Sequence, residues 1–461
     1  MASLLGILTA GANSLNAQQG AAATASNNAS NVNTPGYSRQ IANLGGLGSG
    51  TFDPGGVVLR SVTQARDRYL DSQMPAALGS AAQSNARTEV LSQITSFDPS
   101  STSGVGTALG NFYSSLRALS QNAGDSGLRT SVVSAASGLA RAFNQASTEI
   151  SSAQTAADGQ VQASIGEVNT QAAQVASLNQ QIRVAQSAGG QPNELIDQRR
   201  MALERLSELT GASPVSNAQG DVSVALPDGQ TLVNGNVATQ LVGINDPATG
   251  HLKVQIARLD GTGNDDVPTT GIGGDIGGRL AVRDGVLAQT ASKLDQLAYD
   301  FANAVNAVHA AGVALDGSTG NNLFTVGPQA GAAASIGVDP NVAANPNLIS
   351  AKGSAAAGAG DATQILALLS TETQTVTGGV TAGTAFANIT SNFGVAASSA
   401  SADASHDAAV KDHLSTMRDS SSGVSIDEEL INMQKAQRAY EAIGKVMSAT
   451  SDMLDALMQL K

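Results

Sequence analysis

Between residues 128 and 186 the apolar side chains Val161, Val168, Val175 and Ile182 recur every seven positions, flanked by Ile165, Ala172 and Leu178. Seven-residue spacing holds a seam on one helical face over several turns, so this stretch must be a long helix packed lengthwise on a neighbour. A second seam closes the chain. Ile426, Met433, Tyr440, Met447 and Leu454 fall seven apart, and Ala436, Ile443, Thr450 and Leu457 take the partner positions. No Pro interrupts it, and Gly444 sits outside it. Ser425 and Glu428 have capping-box spacing, while Asp427 and Glu429 add negative charge where a helix dipole favours it. The pattern predicts a coiled-coil helix at the C-terminal end.

The opposite end carries a thinner stripe. From Ser3 to about Val32, Leu4, Leu8, Ala12 and Leu15 share one face, continued by Ala22, Ala25 and Ala29. Gly6, Gly11 and Gly20 each weaken an isolated helix by about 1 kcal/mol relative to Ala. Thr34-Pro35-Gly36 stops the helix, and a glycine-rich irregular stretch is expected through Gly56. A stripe this poor does not hold a helix alone in water. Each chain end therefore needs a partner: the other end first, neighbouring copies second.

Helical patterning also marks residues 63–97 and 106–121, and Asn193 is placed as the N-cap of a helix through Leu209. Period two then takes over. Val222, Val224 and Leu226 alternate with smaller residues, Asp228-Gly229 signals a hairpin, and Leu252, Val254 and Ile256 alternate again. Gly277 and Gly278 open a helix to about Ala311, with Leu280, Val282, Leu287, Leu294, Leu297, Phe301 and Val305 as core positions. Residues 313–360 are Gly/Ala/Asn/Pro-rich and mostly irregular. Helical patterning returns near 361–370 and 385–417. The expected fold is mainly α with a small β-rich insert, an elongated multi-domain chain. Its terminal helices (1–45 and 420–461) pair as a coiled coil around a long helical bundle (60–210 and 277–419) that carries the insert at 211–272.

Composition narrows the function. With aromatics at 3% and no Trp, the cores are expected from Ala, Val, Leu and Ile. A formal charge of −13 opposes nucleic-acid binding, which runs on Lys and Arg neutralising phosphates. Absence of Cys removes disulfides, thiolate catalysis and thiolate metal sites, and suits a chain exported unfolded. No run of about 18 apolar residues is present to span a membrane. Leu4, Leu5, Ile7 and Leu8 lack a preceding basic residue, which disfavours a cleaved signal; residues 1–38 hold no charged side chain.

Chemistry-bearing motifs are missing. His251, His309, His406 and His413 form no HExxH, and the last two lie two helical turns apart, too far for one zinc ion. The run 271–278 places Ile276 where a dinucleotide loop needs Gly and lacks a closing Gly-Lys-Ser/Thr, so it reads as a flexible turn entering a helix. Gly444-Lys445-Val446 fails for the same reason. No GxSxG elbow or SxxK constellation occurs. Asp265-Asp266 reads as a solvated turn, and Asp316-Gly317 with Asn321 and Asn322 lacks EF-hand spacing. No catalytic residue, cofactor or metal is expected.

The segment Asn27-Asn28-Ala29-Ser30-Asn31-Val32-Asn33-Thr34-Pro35-Gly36-Tyr37-Ser38-Arg39-Gln40 closely resembles the N-terminal signature of the flagellar axial family of rod, hook and hook-associated proteins. Its Thr-Pro-Gly-Tyr-Ser-Arg-Gln ending is most similar to the hook–filament junction members. The stretches Asn193-Glu194-Leu195-Ile196-Asp197-Gln198-Arg199-Arg200, Gly277-Gly278-Arg279-Leu280 through Asn306-Ala307-Val308-His309 to Asp316-Gly317, and Ser422 to Leu454 resemble the same members in the same order. The resemblance implies a structural, non-enzymatic subunit of the hook–filament junction, needed for filament assembly. It implies paired terminal helices as an inner tubular layer. It implies an assembly motif at Asn28, Asn31, Asn33, Pro35, Gly36, Tyr37 and Arg39, with Tyr37 and Arg39 placed to meet an adjacent subunit. The implied partners are further copies, the hook protein, the second junction protein and an export chaperone on the C-terminal region, after type III export without a cleaved signal. Family members often carry a larger β-rich outer domain after the segment ending near Phe324; here 325–360 is short, so that domain is expected to be reduced. Another axial protein (the second junction protein or a short flagellin) and a secreted adhesin stay open as alternatives.

Overall fold

The computed structural model describes residues 2–46, 55–97, 104–217, 220–258 and 260–459. The first helix, α1 (Ala2–Ser30), ends in turns at 31–36. Residues 47–54 of the expected irregular stretch lie outside the described residues. On either side of them the chain is not irregular but forms an antiparallel hairpin, β1 (Gln40–Gly46) and β2 (Val57–Gln64), with a bulge at Asn43/Leu44. Frequent Gly hid this hairpin, because Gly lets backbones approach. A side chain at Gly20 would meet Leu59, and one at Gly56 would meet Ala10. The Val57 N–H donates to Ser14 Oγ at 2.9 Å, fixing the hairpin along α1.

Then come α2 (Arg68–Ser92), capped by Asp67, α3 (Val105–Gln121) and α4 (Ser126–Ser187), 62 residues capped by Asp125. The next helix, α5 (Asn193–Thr210), closes on Gly211, whose φ of +67° suits a residue without Cβ. Asn193 is not its N-cap; Pro192 holds that place. The Asn193 side chain is buried instead, donating through Nδ2 to Val62 O at 2.8 Å, while its carbonyl accepts from Gln64 Nε2.

The insert is two small antiparallel sheets. One is β3 (Ser213–Ser216), β4 (Val222–Ala225), β5 (Thr231–Asn234) and β6 (Val237–Ala238); the other is β7 (Leu241–Asn245), β8 (Leu252–Ala257) and β9 (Asn264–Asp266). The alternating residues Val222, Val224, Leu252, Val254 and Ile256 point inward as the period predicts. A short α6 (Gly274–Ala281) passes through a π-helical segment at 282–287 into α7 (Ala288–Ala311). Its glycines are packing devices rather than a flexible turn. A Cβ on Gly278 would sit 2.3 Å from Gln83 O, so α6 meets α2 nearly backbone to backbone. Residues 313–360 hold β10 (Phe324–Thr325), α8 (Ala332–Ser335), β11 (Gly337–Val338) and α9 (Pro340–Ala344). The chain ends in α10 (Thr363–Ser370), α11 (Ala382–Ser422) and α12 (Ile426–Gln459).

Two cores are strung along α4. Its second half, with Val161, Ile165, Val168 and Val175, packs under α5, α6 and the insert. The heptad seam is therefore covered partly by strands, not by a helix alone. Its first half joins α3, α7, α10, the start of α11 and the 323–351 segment. Ala, Val, Leu and Ile make up most of this core as expected, but aromatic rings sit at its centre. Every Phe among the described residues lies in or against this core. Phe112 is its hub, with ring centroids 6.0 Å from Phe301 and 5.8 Å from Phe324. Buried polar groups pin the irregular 313–360 stretch onto it. Arg129 donates to Ala123 O and Ile349 O; His309 bonds Asn321 O through Nδ1 and accepts from Ser350 N–H at Nε2. Burial lowers the pKa of both side chains, and His309 is held neutral.

Candidate functional site

The two chain ends meet. α1 and α12 lie side by side, and Gly11 gives Met447 room: a Cβ there would come within 2.7 Å of Met447 Cγ. In the predicted seam of α12, Ala436 and Thr450 are buried, Met433, Ile443, Met447 and Leu454 are half-buried, and Ile426, Tyr440 and Leu457 stay exposed. On α1 the buried face is Ser14, Ala17, Thr24, Ala25 and Asn28, while Ala12 is exposed. The face is rotated from the expected Leu stripe because small side chains permit the closest approach. Ser14 and Thr24 satisfy their hydroxyls on the carbonyls of Ala10 and Gly20 one turn back.

At the base of this pair the 27–40 segment forms a tight joint. Asn28, fully buried, ties the turn to its own helix: Nδ2 donates to Gln40 O at 2.8 Å, and Oδ1 accepts from Gln40 N–H and the Tyr37 hydroxyl. Asn31 bonds Asn27 O and accepts from Thr34 Oγ1. Gly36 adopts φ +77°, where a side chain would strike Met201 of α5. Asn33 and Pro35 are exposed on the outside of the turn.

Three other elements converge on this turn. Ser38 donates from N and Oγ to the carboxylate of Asp197 on α5, at 3.1 and 2.7 Å. Arg200 Nη2 donates to Gly36 O, and its Nη1 shares Glu204 with Arg418 of α11. Arg39 reaches α12, with Glu429 at 2.7 Å and Glu428 at 3.0 Å, while its N–H donates to Ser422 O at the end of α11. Glu429 is 3% exposed. Glu428, expected to reach back to the start of its own helix, is thus engaged by Arg39. Tyr37 and Arg39, expected to face an adjacent subunit, are also engaged inside the chain. Burial first, then the charges of Asp197 and Glu429, push the Tyr37 phenol up to about 12. The joint is electrostatic and hydrogen-bonded; it offers positioning, not chemistry. Among the described residues no group of His, Asp and Glu is arranged for a metal, and no helix is long and apolar enough to cross a membrane.

Asp197, Arg200, Glu204, Arg418 and Ser38 are the joint residues that sequence reasoning passed over. Asp197 and Arg200 did lie in a segment singled out for its resemblance, but the bond of Asp197 to Ser38 spans 159 positions and that of Arg200 to Gly36 spans 164, and no periodicity carries them.

Comparison with known proteins agrees with this architecture. Residues 91–324 match the family described as the flagellar hook-associated protein FlgK helical domain, and residues 418–460 match the C-terminal family of the flagellar basal body rod FlgEFG proteins. Flagellar hook-associated protein 1 of Escherichia coli (strain K12) is 33% identical over 68% of this chain and 59% of its own length. The chain thus matches less than two thirds of that relative. The Bacillus subtilis (strain 168) protein of the same name is 28% identical over 96% of both chains. The solved flagellar hook junction protein FlgK from Burkholderia pseudomallei superposes with a TM-score of 0.69 at 19% identity, covering 76% of this chain and 100% of that one. With half its length matched by the helical-domain family, the chain belongs to the FlgK family of flagellar hook-associated proteins.

Proposed function

We propose that the chain is a structural subunit of the junction between flagellar hook and filament, needed for filament assembly and acting without catalysis. The carrying observation is the contrast on α12. One face lies on α1, yet Ile426, Leu430, Ile431, Tyr440, Val446, Met453, Leu457 and Met458 remain exposed. Burying one such side chain stabilises by about 1.5–3 kcal/mol, so a helix pair this apolar on its outer flanks is built to meet further helices. Copies of the chain are the first partners in this reading. The hook protein lies on one side of the ring, the second junction protein on the other, and an export chaperone covers α12 beforehand. Asn33 and Pro35, exposed on the turn, belong to the contact surface; Asn28, Asn31, Gly36, Tyr37 and Arg39 fix the angle at which the helix pair leaves the body. The subunit works outside the cell, exported by the flagellar type III route.

Deleting the gene in the source bacterium tests this. Cells are expected to lose swimming, keep hooks, and release filament subunits into the medium; the full chain restores filaments, and a chain lacking 426–459 does not. Normal filaments in the deletion strain overturn the proposal.

A further inference from the structure

This acidic chain holds a hollow lined by arginines. The turn into α2, the face of α5 and the edge of the insert at β3 enclose a cleft of about 1060 Å³. Arg66, Arg68, Arg199 and Arg200 line it, against Asp71 and Glu204. Both carboxylates are already engaged. Asp71 pairs with Arg66, and Glu204 is shared by Arg200 and Arg418. Arg199 has no carboxylate within 4.0 Å among the described residues; its Nη1 donates to Asn179 Oδ1 and Gly220 O, both uncharged. Burial first, then the neighbouring Arg66, lower its pKa, and the charge of Asp221 works against them. Arg68 is exposed at the rim.

The insert beside this cleft has the opposite character. Residues 211–272 carry six Asp against one Lys and one Arg. At the β8–β9 tip Asp265 pairs with Arg258 and Asp266 with Lys253, which among the described residues leaves Asp260, exposed and bonded only to Thr262, as the unpaired carboxylate of the cluster. Copies arranged around an axis present the same elements at the same height, so a heterologous contact pairs one side of the insert level with the other. We infer that the Arg68/Arg199 cleft is a subunit contact that receives the Asp260–Asp266 tip of a second copy. This rests on the assembly proposed above and names one of its contacts.

The chain has no Cys, so introduced ones report without background. Chains with S216C at the cleft rim and chains with T262C at the tip, co-expressed in the deletion strain, are expected to give a disulfide-linked heterodimer in isolated flagella. R68E/R199E in the S216C chain should lower its yield at least tenfold, and D265K/D266K in the T262C chain should restore it. Circular dichroism of each variant checks the fold, and the rescue separates charge from misfolding. Filaments that form without this heterodimer, or a yield indifferent to the charge reversals, overturn the contact while leaving the junction assignment standing. Failure of the unsubstituted chain to restore filaments overturns both.

Discussion

The body strung along α4 and the pair α1–α12 are both helical and both long, yet they bury apolar surface in opposite ways. In the body, Phe112, Leu116, Val132, Leu139 and Phe301 lose essentially all contact with water, and aromatic rings interlock between elements. In the terminal pair the deepest groups are Asn28, Ala17, Thr450, Glu429 and Ala25, while the larger apolar side chains of α12 lie half-buried or exposed. The body is complete within one chain. The pair holds together by close approach of small residues and by one ionic joint, and it leaves its large side chains for something else. In the assembly proposed above, neighbouring copies would cover those side chains and so couple ordering of the ends to assembly.

Hydrogen exchange should separate the two regions most sharply. In the free chain, amides of α1 and α12 are expected to exchange at least about a hundredfold faster than those of α4 between 132 and 175, since opening them exposes few buried contacts. In assembled flagella the terminal amides should slow toward the body's rates. Equal rates in the free chain would break the comparison outright. Core truncation draws the same line in energy. Phe112→Ala should cost about 3–5 kcal/mol in urea unfolding, whereas Met447→Ala should cost less than about 1 kcal/mol in the free chain.

How much of this could be read beforehand follows the same division. The long helices α4 and α12 and the alternation at 222–226 and 252–256 were legible, because each carries a local period that one helix or strand imposes on its own residues. The Phe core was not. Phe97, Phe112, Phe301, Phe324 and Phe393 share no period, and they come from five segments that close on one another. The β1–β2 hairpin was masked by glycines whose use is to let α1 approach. At the joint, the turn itself was visible in Thr34-Pro35-Gly36, but nothing local tied Asp197 and Arg200 of α5 to it. Arg39 and the acidic start of α12 lie at opposite ends of the chain, so their pairing needed the fold.

The ionic joint gives an intermediate effect. Arg39→Ala strands Glu429, 3% exposed, and removing one partner of a buried pair costs about 3 kcal/mol. The loss should be local: faster exchange at 36–40 and 426–432, with urea unfolding of the body unchanged. Replacing both partners (Arg39→Met with Glu429→Leu) should recover most of it, because no charge is then buried. If Arg39→Ala lowers body stability by the same amount, the ends and the body are one cooperative unit and the contrast drawn above is lost.

The finest probe is the phenol of Tyr37. Ionising it removes the proton donated to Asn28 Oδ1 at 2.8 Å and adds a negative charge beside Asp197 and Glu429. Burial first, then these two charges, favour the neutral phenol in the folded joint, with its pKa pushed up to about 12 against an ordinary value of 10.0. The sign follows. Below pH 10 the full contribution is present; between 10 and 12 the unfolded ends release this proton and the folded ends do not, so the joint weakens as pH rises. Tyr113, donating to or accepting from Thr371 inside the Phe core, is pushed up to about 12 as well, which makes it the internal standard. Ultraviolet titration should show two late phenols, with Tyr37→Phe removing one of them. Deleting 426–459 takes away Glu429 and part of the cover, so Tyr37 should then titrate earlier while Tyr113 stays late. A Tyr37 that ignores the loss of α12 would mean that the turn is organised by α1 and α5 alone, and that the C-terminal helix is a guest at the joint rather than one of its builders.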